Sequence, residues 1–453
     1  TDNLSLTWLG MPLAIEVNGV DKAEYYDTNI AITANWQEQT WQQHVEPLLK
    51  KYLGGQVQWQ GELSLYQHHN GGFSYDAKID SQLAQALLHL PSPYQKNQGQ
   101  KVPLTVTATG QLHESTINAK YGEQLSFFGV LEHESSHFER AHLVLGDEKM
   151  LLPMDGFHIT TTLAQADFSH WQPLISDIIE TVSNDSDEQQ VNDLADNSPS
   201  LFSKPDRIRG NLAKLDILGQ QLNNVSFNLL DKEHWWLLQL NAKETRSRIK
   251  FYPDWLTQGI DINADFIHFS TNKDIDENDH VLSDKDALTV IDEQDVFAHI
   301  PKINLHCDRC QVDKLDLGKV SFSLSRTDEN TINIDHFNAK REQAEFSLFG
   351  QWKKDSQGSS TDIHGKLMLK DIEYELEQLA YGSIIRDSGG VLDFDLNWLG
   401  GPHDFAFEHL NGEINTTIDD GYLAEVSDKG ARLFSVLSLE SLVRKLTLDF
   451  RDI

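Results

Sequence analysis

Apolar and polar residues alternate with a period of two along most of this chain, the spacing of strands whose successive side chains point to opposite faces. In residues 104–112, Leu104, Val106, Ala108, Gly110 and Leu112 share one face, while Thr105, Thr107, Thr109 and Gln111 share the other. The same alternation marks residues 57–65, 157–163, 260–266, 320–324, 346–352, 363–369, 392–398 and 446–450. Turn signals at Asn70-Gly71-Gly72, Asp328-Glu329-Asn330, Ser388-Gly389-Gly390 and Asp420-Gly421 separate these runs. They suit hairpins and meanders better than helical crossovers. The expected fold is mainly β, a long, curved, mostly antiparallel sheet with one apolar face per strand and a few short α-helices.

A loose repeat fits this picture: Leu6-Thr7-Trp8-Leu9-Gly10-Met11-Pro12 is echoed by Leu396-Asn397-Trp398-Leu399-Gly400-Gly401-Pro402. Helical spacing is confined to residues 41–53, 81–90, 171–182, 376–385 and 432–446. The last carries a wide apolar stripe of Leu433, Val436, Leu437, Leu439, Leu442, Val443 and Leu446 that must lie against something greasy. Residues 183–200 hold five carboxylates and no basic residue, the composition of a flexible linker. Residues 271–295 are similarly charged.

Composition narrows the function. With 70 Asp and Glu against 37 Lys and Arg, the formal charge of −33 repels phosphate backbones and anionic bilayer surfaces, which argues against a nucleic-acid partner. Mean hydropathy is −0.44, and no stretch approaches the ~20 consecutive apolar residues that cross a bilayer. The expectation is a water-soluble chain whose first ten residues read as strand rather than signal peptide.

Chemistry-bearing motifs are sparse. Cys307-Asp308-Arg309-Cys310 reads first as a local structural disulfide, with free thiols or a redox or metal role as alternatives. In a fully extended segment the two Cα atoms would stand roughly 10 Å apart, so bonding requires a turn. His68-His69, His133, His137 and His142 lack a ligand frame and read as solvated. Asp419-Asp420 and the Asp393/Asp395 pair are expected to face water in so acidic a chain. Trp8, Trp59, Trp352 and Trp398 fall at strand ends, where core packing or an edge anchor explains them. No catalytic residue, cofactor or metal site is expected.

The C-terminal residues carry a family resemblance. Leu410-Asn411-Gly412-Glu413-Ile414, Asp420-Gly421-Tyr422-Leu423, the run from Ala431 to Leu439 and the run from Leu446 to Asp452 closely resemble the AsmA-like C-terminal region of YhdP-type proteins, bridge-like lipid-transfer proteins. Trp59-Gln60-Gly61-Glu62-Leu63, Leu90-Pro91-Ser92-Pro93 with Lys96, and Trp352 after Phe349-Gly350 are similar to the same family. The resemblance implies an internal to C-terminal piece of a very long protein of the Gram-negative periplasm. That protein would be anchored in the inner membrane by a segment absent here, and would carry phospholipid to the outer membrane along a β-sheet groove.

On this reading residues 1–182 form an N-terminal groove segment, 183–206 an acidic linker, and 207–453 an AsmA-like groove segment with an acidic loop at 271–295. A sheet of roughly twenty strands would extend on the order of 100 Å. Its expected lipid-facing residues are Val57, Trp59, Leu63, Leu104, Val106, Phe157, Ile159, Phe346, Leu348, Leu392 and Phe394. Helix 432–446 would cap or gate the groove. Three other readings compete: an ordinary sandwich with its apolar faces closed on each other, a periplasmic scaffold or outer-membrane assembly factor holding β proteins by its sheet edges, and a glycan-binding or glycan-active module. The last needs paired carboxylates beside an aromatic platform in a pocket, a constellation not visible in the sequence.

Overall fold

The computed structural model describes residues 2–45, 47–146, 155–184, 204–217, 220–232, 234–252, 254–270, 297, 300–356, 358–378, 385–405 and 409–423. Among them, 22 strands belong to one mixed sheet and two further pairs form small ladders of their own. The chain divides into two compact units, Thr1–Leu215 with Ser226–Asp231, and Asp216–Val225 with Lys232–Ile453.

In the first unit β1 (Asp2–Trp8), β2 (Met11–Asp21) and β3 (Tyr25–Trp36) form an antiparallel meander. Leu9 and Gly10 join β1 to β2 at φ of 51° and 76°, the two positive angles a type I′ turn needs. The helix expected over 41–53 is broken into α1 (Glu38–Trp41), a 3-10 turn and α2 (Pro47–Tyr52). Pro47 suits the first position of a helix but prevents one from running through it.

β4 (Leu53–Gly55) leads into β5 (Val57–His68), which lies beside β3 and turns into β6 (Phe73–Ser81). Residues 81–90 do not form the expected helix: β7 (Ala86–Leu88) pairs with β4 instead. Leu83 adopts a φ of 47°, outside any right-handed helix, and buries with Ala86 against Tyr121. β8 (Leu104–Gly110), β9 (Glu114–Tyr121), β10 (Leu125–Glu132) and β11 (His137–Gly146) extend the antiparallel order from β6. β12 (Gly156–Asp167) runs parallel to β11 and enters α3 (Phe168–Asn184), which contains the helix expected over 171–182. β13 (Arg207–Ile217) and β14 (Gln220–Asp231) follow.

The second unit contains β15 (Trp236–Asn241), β16 (Thr245–Phe251), α4 (Trp255–Gln258) and β17 (Ile260–Phe269), then β18 (Ile303–Val312) parallel to β17. β19 (Leu315–Asp328), β20 (Thr331–Lys340), β21 (Ala344–Asp355) and β22 (Gly358–Leu369) are successive antiparallel hairpins. Of the helix expected over 376–385, residues 376–378 end α5 (Ile372–Gln378), which the Asp371 carboxylate caps by accepting the Tyr374 N–H at 3.0 Å, residues 379–384 lie outside the described residues, and Ile385 is strand. β23 (Ile385–Arg386) pairs with β26 (Tyr422–Leu423), while β24 (Gly390–Leu399) and β25 (Asn411–Ile418) continue the main sheet from β22.

Among the described pairings all are antiparallel except β11 with β12 and β17 with β18, where a parallel neighbour requires the chain to travel back along the strand. Residues 185–203, 271–296 and 424–453 lie outside the described residues, so most of the 183–206 linker, the whole acidic loop, helix 432–446 and the strand at 446–450 do too.

Phe297 shows how a connection packs onto the sheet. It is 2% exposed and buries with Ile332 and Trp352, its ring 4.4 Å from that of Trp352. Its carbonyl accepts the Arg326 Nη1–H at 2.9 Å. Replacing Phe297 by Ala empties this pocket and is expected to destabilise the second unit by about 3 kcal/mol. Chemical denaturation followed by tryptophan fluorescence checks this, and an unchanged midpoint would show that Phe297 anchors nothing.

Candidate functional site

Residues directly opposite each other on paired strands share a face, so register decides whether the apolar stripes of separate strands meet. In the first unit they meet. Leu4, Ile15, Ile32, Gly61, Ile79, Val106, Ala119, Phe127, Leu143 and Ile159 are successive partners from β1 through β12. A second row on the same face reads Val17, Ile30, Leu63, Ala77, Ala108, Ile117, Gly129, Ala141 and Phe157. One residue along, on the other face, the partners are Thr33, Gln60, Asp80, Thr105, Lys120 and Ser126.

The second unit repeats the arrangement. Leu238, Ile249, Ile262, Leu305, Phe322, Phe337, Leu348, Gly365, Phe394 and Ile414 are successive partners from β15 to β25. Beside them run Ala264, Cys307, Val320, Ala339, Phe346, Leu367 and Leu392. The opposite face carries Asn263, His306, Ser321, Asn338, Ser347, Lys366 and Asp393.

The residues singled out in the sequence therefore fall on these apolar faces: Val57, Trp59, Leu63, Leu104, Val106, Phe157 and Ile159 in the first unit, and Phe346, Leu348, Leu392 and Phe394 in the second. All but Phe394, which is 8% exposed, are only half-buried. Their settings differ. Val57 and Leu104 pack under the segment bearing Leu83 and Ala86, and Trp59 meets Trp36 edge-on at 5.1 Å. Phe346 stacks on Phe394 at 6.0 Å, and the Phe394 ring lies so close over Gly365 that a Cβ there would come within 2.2 Å of it. The sequence reading missed Ile15, Ile32, Phe127, Ile262 and Phe322, although the same alternation runs through their strands.

Cys307 and Cys310 are joined by a disulfide with a Cα separation of 5.9 Å. Residues three apart on a straight strand face opposite ways. A bulge between them turns both to the apolar side, beside Ala264 and Val320, where they are 0% and 3% exposed. The turn the sequence demanded is thus a bulge inside a strand.

One border of the first unit's apolar face is built from α2, α3 and the segment after β6. Tyr94 is 2% exposed and meets Trp171 of α3 edge-on at 6.1 Å, and burial pushes its hydroxyl up to about 12. Lys96 is 1% exposed, donates to the Ala86 carbonyl at 2.6 Å, and has its pKa lowered by burial. Asp177 of α3 accepts from the Lys51 ammonium at 2.5 Å and from the Tyr52 hydroxyl. Those two hydrogen bonds, Lys51 first, hold its carboxyl below the usual 3.8. A depressed carboxylate stabilises the fold above its unfolded pKa and loses that contribution as pH falls through the folded one. Amide protection in α3, measured against the intrinsic exchange rate at each pH, is therefore expected to fall below pH 3.8, and at neutral pH in Asp177→Asn. Exchange measured by mass spectrometry that stays slow in that variant would show that this tether does not hold the helix.

Among the described residues no helix is long and apolar enough to cross a membrane, and no three His, Cys, Asp or Glu side chains gather as metal ligands. What the fold defines is a mainly β protein with amphipathic sheets whose apolar rows cross many strands. The chain matches the YhdP protein family over residues 1–453 and belongs to it. It is 22% identical over 458 aligned residues to the intermembrane phospholipid transporter YhdP of Escherichia coli strain K12. The alignment takes in 100% of this chain but 34% of that relative, so the chain spans about a third of its length. No solved structure matches.

Proposed function

We propose that this chain is a stretch of an intermembrane phospholipid-transfer protein in which the apolar sheet faces hold acyl chains. The observation that carries the reading is the in-register apolar row in each unit, Leu4 to Ile159 and Leu238 to Ile414, made of side chains mostly left half-buried. A closed sandwich would bury such rows. Family membership and the E. coli relative's name, intermembrane phospholipid transporter, support the same reading.

The physics is undemanding. Each acyl CH₂ removed from water contributes about 0.8 kcal/mol, so a chain lying across several strands stays associated while its headgroup remains in water. Hydrophobic burial is non-directional, and a lipid can shift from one strand to the next without a catalytic group. Direction then comes from the two membranes or from partners bound elsewhere on the longer protein. The setting we propose is the Gram-negative periplasm, with the membrane anchor in another part of that protein.

A photo-crosslinking residue placed at Val106 or Leu348 is expected to capture phospholipid, while one at Thr107 or Ser347, on the opposite face, is not. Val106→Asp and Leu348→Arg put a charge into the rows and are expected to reduce lipid capture about tenfold with the circular dichroism spectrum unchanged. Equal capture on both faces, or full capture in both charged variants, would sink the proposal.

A further inference from the structure

The hydrophilic face of the second unit holds an open hollow of about 420 Å³ over β20, β21, β22 and β24. Leu348, Gly365 and Phe394 border it as well, although their positions belong to the apolar row. Two cross-strand rows make the walls: Asn338, Ser347, Lys366 and Asp393, and beside them Phe349, His364 and Asp395. Asp393 and Asp395 alternate on β24 and face the same way, about 7 Å apart along the strand.

Phe349 is the unexpected member. It is a large apolar side chain in a row with His364 and Asp395, 57% exposed. Its ring stacks on the His364 imidazole at 5.2 Å with the planes 28° apart. Two of the three carboxylates around it already have a partner. His364 Nδ1 lies 3.0 Å from Asp395 Oδ2, and Lys366 Nζ lies 3.2 Å from Asp393 Oδ1. Asp335 at the edge accepts the Ser325 hydroxyl at 2.8 Å.

This pattern selects a ligand class. A phosphate or carboxylate would meet three carboxylates. An ammonium would have to displace Lys366 from Asp393 and the His364 imidazole from Asp395. A neutral polyhydroxyl compound meets neither obstacle: the C–H face of a sugar ring covers an exposed aromatic, and its hydroxyls bridge oxygen and nitrogen atoms left over by the ion pairs. We propose that this hollow binds a saccharide, with Phe349 braced by His364 as the stacking platform, and Asp393, Asp395, Lys366 and Asn338 as hydroxyl partners. The site lies on the face opposite the lipid rows and does not rest on the lipid reading. A polar face that grips glycan while the apolar face carries lipid would hold the protein in a saccharide-containing matrix.

The test is a titration of the purified chain with chitotetraose and maltotetraose, followed by calorimetry, with spermidine and inorganic phosphate as controls. Binding of at least one oligosaccharide is expected, weakened about tenfold or more in Phe349→Ala and in Asp395→Ala. Phe349 is exposed, so its removal should leave the thermal midpoint and the lipid capture at Leu348 unchanged. Failure of both oligosaccharides to bind at millimolar concentration would overturn the proposal, as would undiminished binding by Phe349→Ala or binding of spermidine or phosphate in their place.

Discussion

Strand register is the constraint on which the rest of this protein depends. Side chains alternate with a period of two, so a slip of one residue between any two strands would send one strand's apolar stripe to the polar side. Ten strands in each unit keep Leu4 to Ile159, and Leu238 to Ile414, in phase. Where an extra residue intrudes, a bulge absorbs it. Between Ile334 and Phe337, β20 gains one residue on β21, and both side chains still meet the apolar partners Gly350 and Leu348. β17 and β18 carry their extra residue side by side, so that Ile267 and Cys310 remain partners. The Cys307–Cys310 disulfide spans that bulge.

A face kept apolar over so many strands has to be covered by something. Part of the cover is local. Leu83 and Ala86 lie against Tyr121 in the first unit, and Phe297 lies against Ile332 and Trp352 in the second. These segments seal particular stretches and leave others, such as those around Val106 and Leu348, half-exposed. At about 25 cal/mol per Å² of apolar surface, such incomplete cover is a standing attraction for any hydrocarbon that fits. Two polar groups at the covered stretch find partners there: Lys96 reaches the Ala86 carbonyl, and Asp177 holds α3 to α2.

The opposite face has different chemistry. It carries charged and polar groups in cross-strand contacts such as Lys366 with Asp393 and His364 with Asp395. Contacts of this kind contribute little to stability in water. Phe349 departs from that pattern, because alternation assigns it to the polar side although its chemistry belongs on the other. A single sheet can thus present lipid-like and water-like surfaces back to back without either side disturbing the other.

Much of this was legible in the residues themselves. Alternation through 57–65, 104–112, 346–352 and 392–398 set out β5, β8, β21 and β24 and the face on which their apolar side chains lie, because period two is a local property of the extended backbone. Helices were less readable: the spacing over 81–90 gave way to pairing between β7 and β4, and α5 starts where Asp371 can cap it. Neither the joining of separate stripes into rows nor the two parallel pairs could be read from single segments, since both arise from partners far apart in the chain. The same is true of Phe349, His364, Asp393 and Asp395, which sit on three strands and become neighbours only through their pairing. Sequence alone determined which face of each strand is apolar, because that needs only neighbouring residues. The tertiary structure decided which strands stand side by side and in what register, because hydrogen bonding between strands is a long-range choice, and it alone turns stripes into a surface.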